Sequence, residues 1–126
     1  GRPVVTGVYP HAAYDKTTLL SLAASLEQGS EHPLAKAILT AANSASSPLL
    51  PVSDFQTLPG FGIRGVVQQQ MVYLGNHRLM VQQHVDIQSM QTQAELLATQ
   101  GQTPIYVALD NSIVGLLTIA DSLKAE

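Results

Sequence analysis

Apolar positions in the first third of the chain recur with a helical period. Leu19, Leu22, Ala23 and Leu26 stand at i, i+3, i+4 and i+7, which places them on one face of a helix. Asp15 precedes that run as an N-cap, where a carboxylate accepts a hydrogen bond from an unpaired amide of the first turn. Gly29 is placed to end it with a left-handed cap. Leu34, Ala37, Ile38 and Ala41 repeat the period in a second helix. Ser30 and His32 are both candidates for its N-cap, and Pro33 fits its first turn, where a missing N–H leaves no bond unmade. Before both helices, residues 3–9 are β-branched and aromatic and read as a strand ending at Pro10. Residues 43–51, rich in Ser, Ala and Pro, read as a surface loop.

The middle of the chain changes to a strand-like pattern. Residues 52–58, 63–68 and 71–74 are short strand candidates separated by turn residues. A short helix is expected after Asn76, through Leu79 and Met80. Asp86 then caps a longer one in which Ile87, Met90, Ala94 and Leu97 share a face, and Gly101 ends it. Residues 105–109 and 113–119 flank Asp110-Asn111-Ser112 as a hairpin. The order is strand, two helices, three strands, two helices, two strands. Strands joined by hairpins with helices in pairs predict an α+β domain, an antiparallel sheet covered by helices on one face or both.

Composition narrows the functional classes. The 126 residues make one ordinary domain, and with 45% hydrophobic and 12% charged residues a sizeable core is available. The formal charge of −3 comes without a basic cluster to neutralise phosphates along a backbone, so nucleic-acid binding has little support. Cysteine is absent, which removes disulfides, thiolate nucleophiles and Cys-based metal sites. No apolar run reaches the roughly 20 residues that span a bilayer, and no signal-peptide pattern opens the chain. The expectation is a compact domain of intracellular type.

Three motifs come close without fitting. Gly60-Phe61-Gly62-Ile63-Arg64-Gly65 matches G-x-G-x-x-G, but a dinucleotide site needs a helix after the glycines, facing the pyrophosphate. Here Val66-Val67 and then Met71-Val72-Tyr73-Leu74 continue as strand. The same glycines match the outer part of a P-loop, yet Val66 and Val67 stand where Lys and Ser or Thr are needed. Asp15-Lys16-Thr17-Thr18 is one residue away from Asp-Lys-Thr-Gly, and its local chemistry is that of a helix N-cap.

The glycines around Phe61 admit two readings: a tight turn needing positive φ, or a backbone that must approach a flat ligand closely. Glu27 and His32 admit two as well. They are either a solvated charge and a simple cap, or a carboxylate and an imidazole brought to one cavity by the bend at Gly29. At a helix N-terminus the dipole disfavours an imidazolium, and a neutral ring stacks on a purine without a buried charge. A carboxylate accepts hydrogen bonds only, which suits the exocyclic amine of adenine and rejects the carbonyl of guanine.

Taken together, Ser30-Glu31-His32-Pro33-Leu34, Gly60-x-Gly62-x-x-Gly65 and Gly75-Asn76 closely resemble the nucleotide-binding (N) domain of heavy-metal-transporting P-type ATPases, with the copper(I) pumps as the nearest group. The resemblance runs over essentially the whole chain. It implies a six-stranded antiparallel sheet between pairs of helices, with residues 1–2 and 120–126 as linkers to a phosphorylation domain. It implies that Glu27 and His32 contact adenine, that Gly60, Gly62 and Ile63 form the wall beneath it, and that Gly75 and Asn76 close the other side. The catalytic aspartate of that family lies outside the N-domain, so no catalytic and no metal-ligating residue is expected here. ATP, carried as Mg-ATP in the full pump, is the implied ligand. The phosphorylation and actuator domains of the same chain are the implied partners, and the fragment is expected to be monomeric. The implied setting is a cytoplasmic domain of an integral membrane protein that moves copper out of the cytosol.

Three alternatives accompany that reading. A zinc, cadmium or lead pump would share most of the motifs; copper is preferred because Gly75-Asn76 is retained. A metal-handling module could use His11, His32, His77 and His84, but His77 and His84 lie about 10 Å apart along a helix, too far to share one ion. A non-catalytic interaction domain would make the glycine stretch a turn and nothing more.

Overall fold

A computed structural model describes residues 2–122. Its elements are β1 (Pro3–Pro10), α1 (Lys16–Glu27), α2 (Pro33–Ser44), β2 (Ser53–Leu58), β3 (Gly62–Val67), β4 (Gln70–Gly75), α3 (His77–Gln82), α4 (Gln88–Thr99), β5 (Thr103–Leu109) and β6 (Ser112–Asp121). The six strands form one sheet in the order β1-β6-β5-β4-β3-β2, and every neighbouring pair is antiparallel. The last strand folds back beside the first, and Ser122 N–H donates to the Arg2 carbonyl at 2.8 Å. Both ends of the described chain therefore lie side by side.

Helices cover both faces of the sheet. Leu19, Leu26 and Ile38 of α1 and α2 pack with Ile63, Leu74, Val107 and Leu117 on one face. Leu79, Met80 and Met90 of α3 and α4 pack with Tyr73, Tyr106 and Leu116 on the other. Adjacent strand residues such as Tyr73 and Leu74, or Leu116 and Leu117, enter opposite cores because successive side chains alternate across a strand. Strands buried on both faces read as continuous apolar runs, which is why the sequence of β5 and β6 shows little alternation.

Local chemistry fixes most element ends. Asp15 caps α1, its Oδ1 accepting from Thr18 N–H at 2.8 Å, and this holds its carboxyl below the usual range. Of the two candidates for α2 the structure uses His32, whose Nδ1 accepts from Leu34 N–H at 3.1 Å. Gly101, at φ 82°, follows α4 as expected.

Three expectations are corrected. Gly29 is not a left-handed cap: α1 ends on Gln28 at φ −57°, and Gly29 has no positive φ. Its missing side chain makes room for the Phe55 ring of β2, which would lie 3.0 Å from a Cβ there. Asp86 is one residue too early to be the N-cap of α4; Ile87 holds that position, and the Asp86 carboxylate bonds Gln88 N–H at 2.9 Å. Ala120 and Asp121, read as linker, are the last residues of β6, paired with Val4 and Pro3. Residue 1 and residues 123–126 of the expected linkers lie outside the described residues.

Candidate functional site

The expected site residues fall into two groups. The first is the corner between α1 and α2. Leu26 anchors the end of α1 in the core with 0% exposure, and the next residue, Glu27, is carried in with it at 2% exposure. Burial disfavours the ionised form, so the Glu27 carboxyl is pushed up to about 7, against the pull of a hydrogen bond from the Ser30 hydroxyl. Ser30 ties the corner together, because its Oγ also accepts from His32 N–H at 3.1 Å. The His32 ring is exposed. With Nδ1 accepting the Leu34 amide proton, a neutral His32 ring carries its proton on Nε2, which leaves a donor free to face outward.

The second group is the turn between β2 and β3 and the end of β4 beside it. Phe61 N–H donates to the Leu58 carbonyl at 2.9 Å to close the turn, and Gly60 sits at φ 82°, a conformation that glycine adopts at no steric cost. Gly62 is paired with Leu58 on one side and Gly75 on the other. The two strands approach so closely there that a Cβ on Gly75 would lie 3.0 Å from Gly62 Cα. Asn76 caps α3 with Oδ1, accepting from Leu79 N–H at 3.0 Å, while its Nδ2 donates to the Gly60 carbonyl at 2.9 Å. Each end of its amide is thus engaged within the protein. Ile63 is 8% exposed and lies in the core under α1.

Among the described residues no hydrogen bond joins the two groups; packing does. Leu26 shares a core with Ile63, and its Cδ1 lies 2.8 Å from where a Cβ on Gly65 would stand, so the end of α1 rests on β3. Phe55 of β2 reaches under Gly29 from the same side. A groove of about 500 Å³ passes Ser30, Glu31, His32, Lys36 and Asn43. Neither Glu27 nor the glycine turn lines it.

Sequence reasoning missed two contributors. Ser30 was visible as a possible cap and as part of a motif, but its link from Glu27 to His32 depends on the shape of the corner. Arg78 was not singled out at all. Its Nη2 donates to the Gly60 carbonyl at 2.8 Å, and its guanidinium lies over the Phe61 ring at 5.6 Å from the centroid. Its position two residues past a predicted helix cap was the one available signal. Among the described residues no three His, Cys, Asp or Glu side chains gather as a metal site. His11 instead meets Ser89 at 3.3 Å.

Known proteins resemble this chain in sequence and in fold. No family model matches the chain. Copper-transporting ATPase 1 of Rhizobium meliloti (strain 1021) is 37% identical over 124 residues, covering 98% of this chain and 15% of that protein. The crystal structure of the N-domain of HMA8, a copper-transporting P-type ATPase, superposes with a TM-score of 0.77 at 29% identity, covering 94% of this chain and 99% of that one. A zinc-transporting PIB-type ATPase in the E2.Pi state gives a TM-score of 0.89 at 29% identity, covering 99% of this chain and 20% of that one. The chain spans 15% of the length of the curated relatives it matches first.

Proposed function

The chain has the sequence and the fold of an N-domain of the heavy-metal-transporting P-type ATPases, and on that premise we propose that it is the ATP-binding domain of a copper exporter. In this reading Glu27 accepts the exocyclic amine of adenine and the outward-facing His32 ring packs on the base. The bare backbone of Gly60 and Gly62 lies beneath it, over Ile63, with Gly75 and Asn76 shaping the far side. The triphosphate, with its magnesium, projects towards an aspartate in another domain of the longer protein. The contribution of this domain is placement, which raises the effective concentration of the γ-phosphate at the acceptor rather than moving protons.

The observation that carries the reading is Glu27. The residue is 2% exposed, and its carboxyl is met by a serine hydroxyl and no cation among the described residues. A buried carboxyl is costly without partners, and an incoming amine supplies one. The experiment is a titration with ATP, ADP, AMP and GTP followed by residue-resolved NMR. Saturable shifts at His32, Gly60 and Gly62 are expected, with ATP bound more tightly than GTP. Amides at those positions that stay still under saturating ATP would end the proposal. Because the acceptor aspartate belongs to another domain, the isolated chain releases no phosphate from ATP.

As part of a pump, the domain sits on the cytosolic side of the membrane and works with phosphorylation and actuator domains. No helix of the described residues is long and apolar enough to cross a membrane. Copper is chosen on the relatives that match in sequence. The superposition on a zinc transporter favours zinc as the second reading, and metal-stimulated ATPase activity of the full-length protein separates the two.

A further inference from the structure

Resting on that reading, we propose that Arg78 is a positioning residue for nucleotide binding, holding the glycine turn in the shape that receives the base. Two donors converge on one carbonyl: Asn76 Nδ2 at 2.9 Å and Arg78 Nη2 at 2.8 Å, both on Gly60 O. A carbonyl has two lone pairs, so this one is fully engaged. The Arg78 guanidinium also covers the ring of Phe61, 5.6 Å from its centroid, within the range of a cation–π contact. Arg78 therefore grips two consecutive residues of the turn, one by its backbone and one by its side chain.

The turn needs such a grip because of its composition. Gly60 has the widest backbone freedom of any residue type, is exposed, and has nothing nearer than the Arg78 guanidinium, at 4.0 Å, in the direction its side chain would take. Freezing it before the ligand arrives removes an ordering cost from the binding step. Arg78 is well placed to do this without supporting the core. It is exposed, while the next two residues, Leu79 and Met80, are fully buried and anchor α3 by themselves.

The test compares wild type, Arg78→Ala and Arg78→Lys, titrated with ATP and with adenosine and followed by amide NMR. Arg78→Ala should weaken both ligands by the same factor, about five-fold for the loss of one charge-assisted hydrogen bond. It should also move the Gly60, Phe61 and Gly62 amides before any ligand is added. Arg78→Lys should recover part of the affinity, since an ammonium still reaches the carbonyl but does not present a plane to the ring. Wild-type affinity in Arg78→Ala overturns the inference while leaving the ATP-binding reading intact. A loss confined to ATP overturns it too, by making Arg78 a phosphate contact. Failure of wild type to bind either ligand removes both this inference and the reading beneath it.

Discussion

The corner between α1 and α2 and the turn between β2 and β3 are built on opposite principles. At the corner, chemistry resides in side chains: a buried carboxyl near neutrality, a serine that links it to the next helix, and an exposed imidazole that caps that helix. At the turn the side chains have been removed, and shape resides in the main chain of Gly60, Gly62 and Gly75. In the proposed site the first region would discriminate among ligands by donors and acceptors and respond to pH. The second would discriminate by space and does not titrate. A site assembled from both gains selectivity from the corner and flat access from the turn, and the two contributions can be disturbed separately.

The largest expected effect breaks the turn. In Gly75→Ala the new Cβ would meet Leu79 Cδ2 at 2.7 Å, Gly62 Cα at 3.0 Å and the Phe61 carbonyl oxygen. Two of those are backbone and cannot move aside, so thermal unfolding should show a loss of about 3 kcal/mol, independent of pH. Wild-type stability would show that the strands separate easily and that the close approach is incidental.

The corner should answer to pH instead. The Glu27 carboxyl is raised from 4.5 to about 7 in the folded chain, so folding favours its protonated form. Its stabilising contribution is complete below the unfolded value and is lost as pH rises through the folded one. Between about pH 5 and 8 denaturant unfolding should register a fall of roughly 2.5 kcal/mol from this group. Glu27→Gln should flatten that part of the profile. A slope that persists in the variant would assign the titration elsewhere.

His32 tests whether one residue serves both purposes. It caps α2 through Nδ1 and is proposed to face the base. His32→Ala should cost about 1 kcal/mol of stability through the lost cap and weaken ATP binding. His32→Asn supplies a better cap and no ring, so it should restore the unfolding midpoint without restoring affinity. If Asn restores both, the ring does nothing for the nucleotide.

The same contrast explains what the sequence disclosed. Elements with a buried face were legible because Leu19, Leu22, Ala23 and Leu26 keep a strict period, and the hairpin was legible from two apolar runs flanking Asp110-Asn111-Ser112. Gly29 was misread because its reason for being glycine is the ring of Phe55, a contact between segments far apart in sequence. The residues of the corner could be named, but not the burial of Glu27, which follows from how the end of α1 settles on β3. Arg78 stayed hidden for the same cause, since its partner Gly60 lies 18 positions away. Sequence reveals what a residue does to its neighbours in the chain and conceals what it does across the sheet.

The smallest expected effect joins the two regions in one measurement. An ionised Glu27 only accepts hydrogen bonds, so it welcomes the amine of adenine and opposes the O6 carbonyl of guanine. A protonated Glu27 carries an O–H that the guanine carbonyl can accept. With its carboxyl near 7, the ratio of GTP to ATP dissociation constants should rise from pH 6 to pH 8 by about three-fold, the worth of a fraction of one hydrogen bond. In Arg78→Ala both nucleotides should weaken together and the pH dependence of the ratio should survive, because the turn shapes access while the acid chooses the base. A ratio that does not change with pH would place the choice of purine in the backbone, and the division of labour between the two regions would fall.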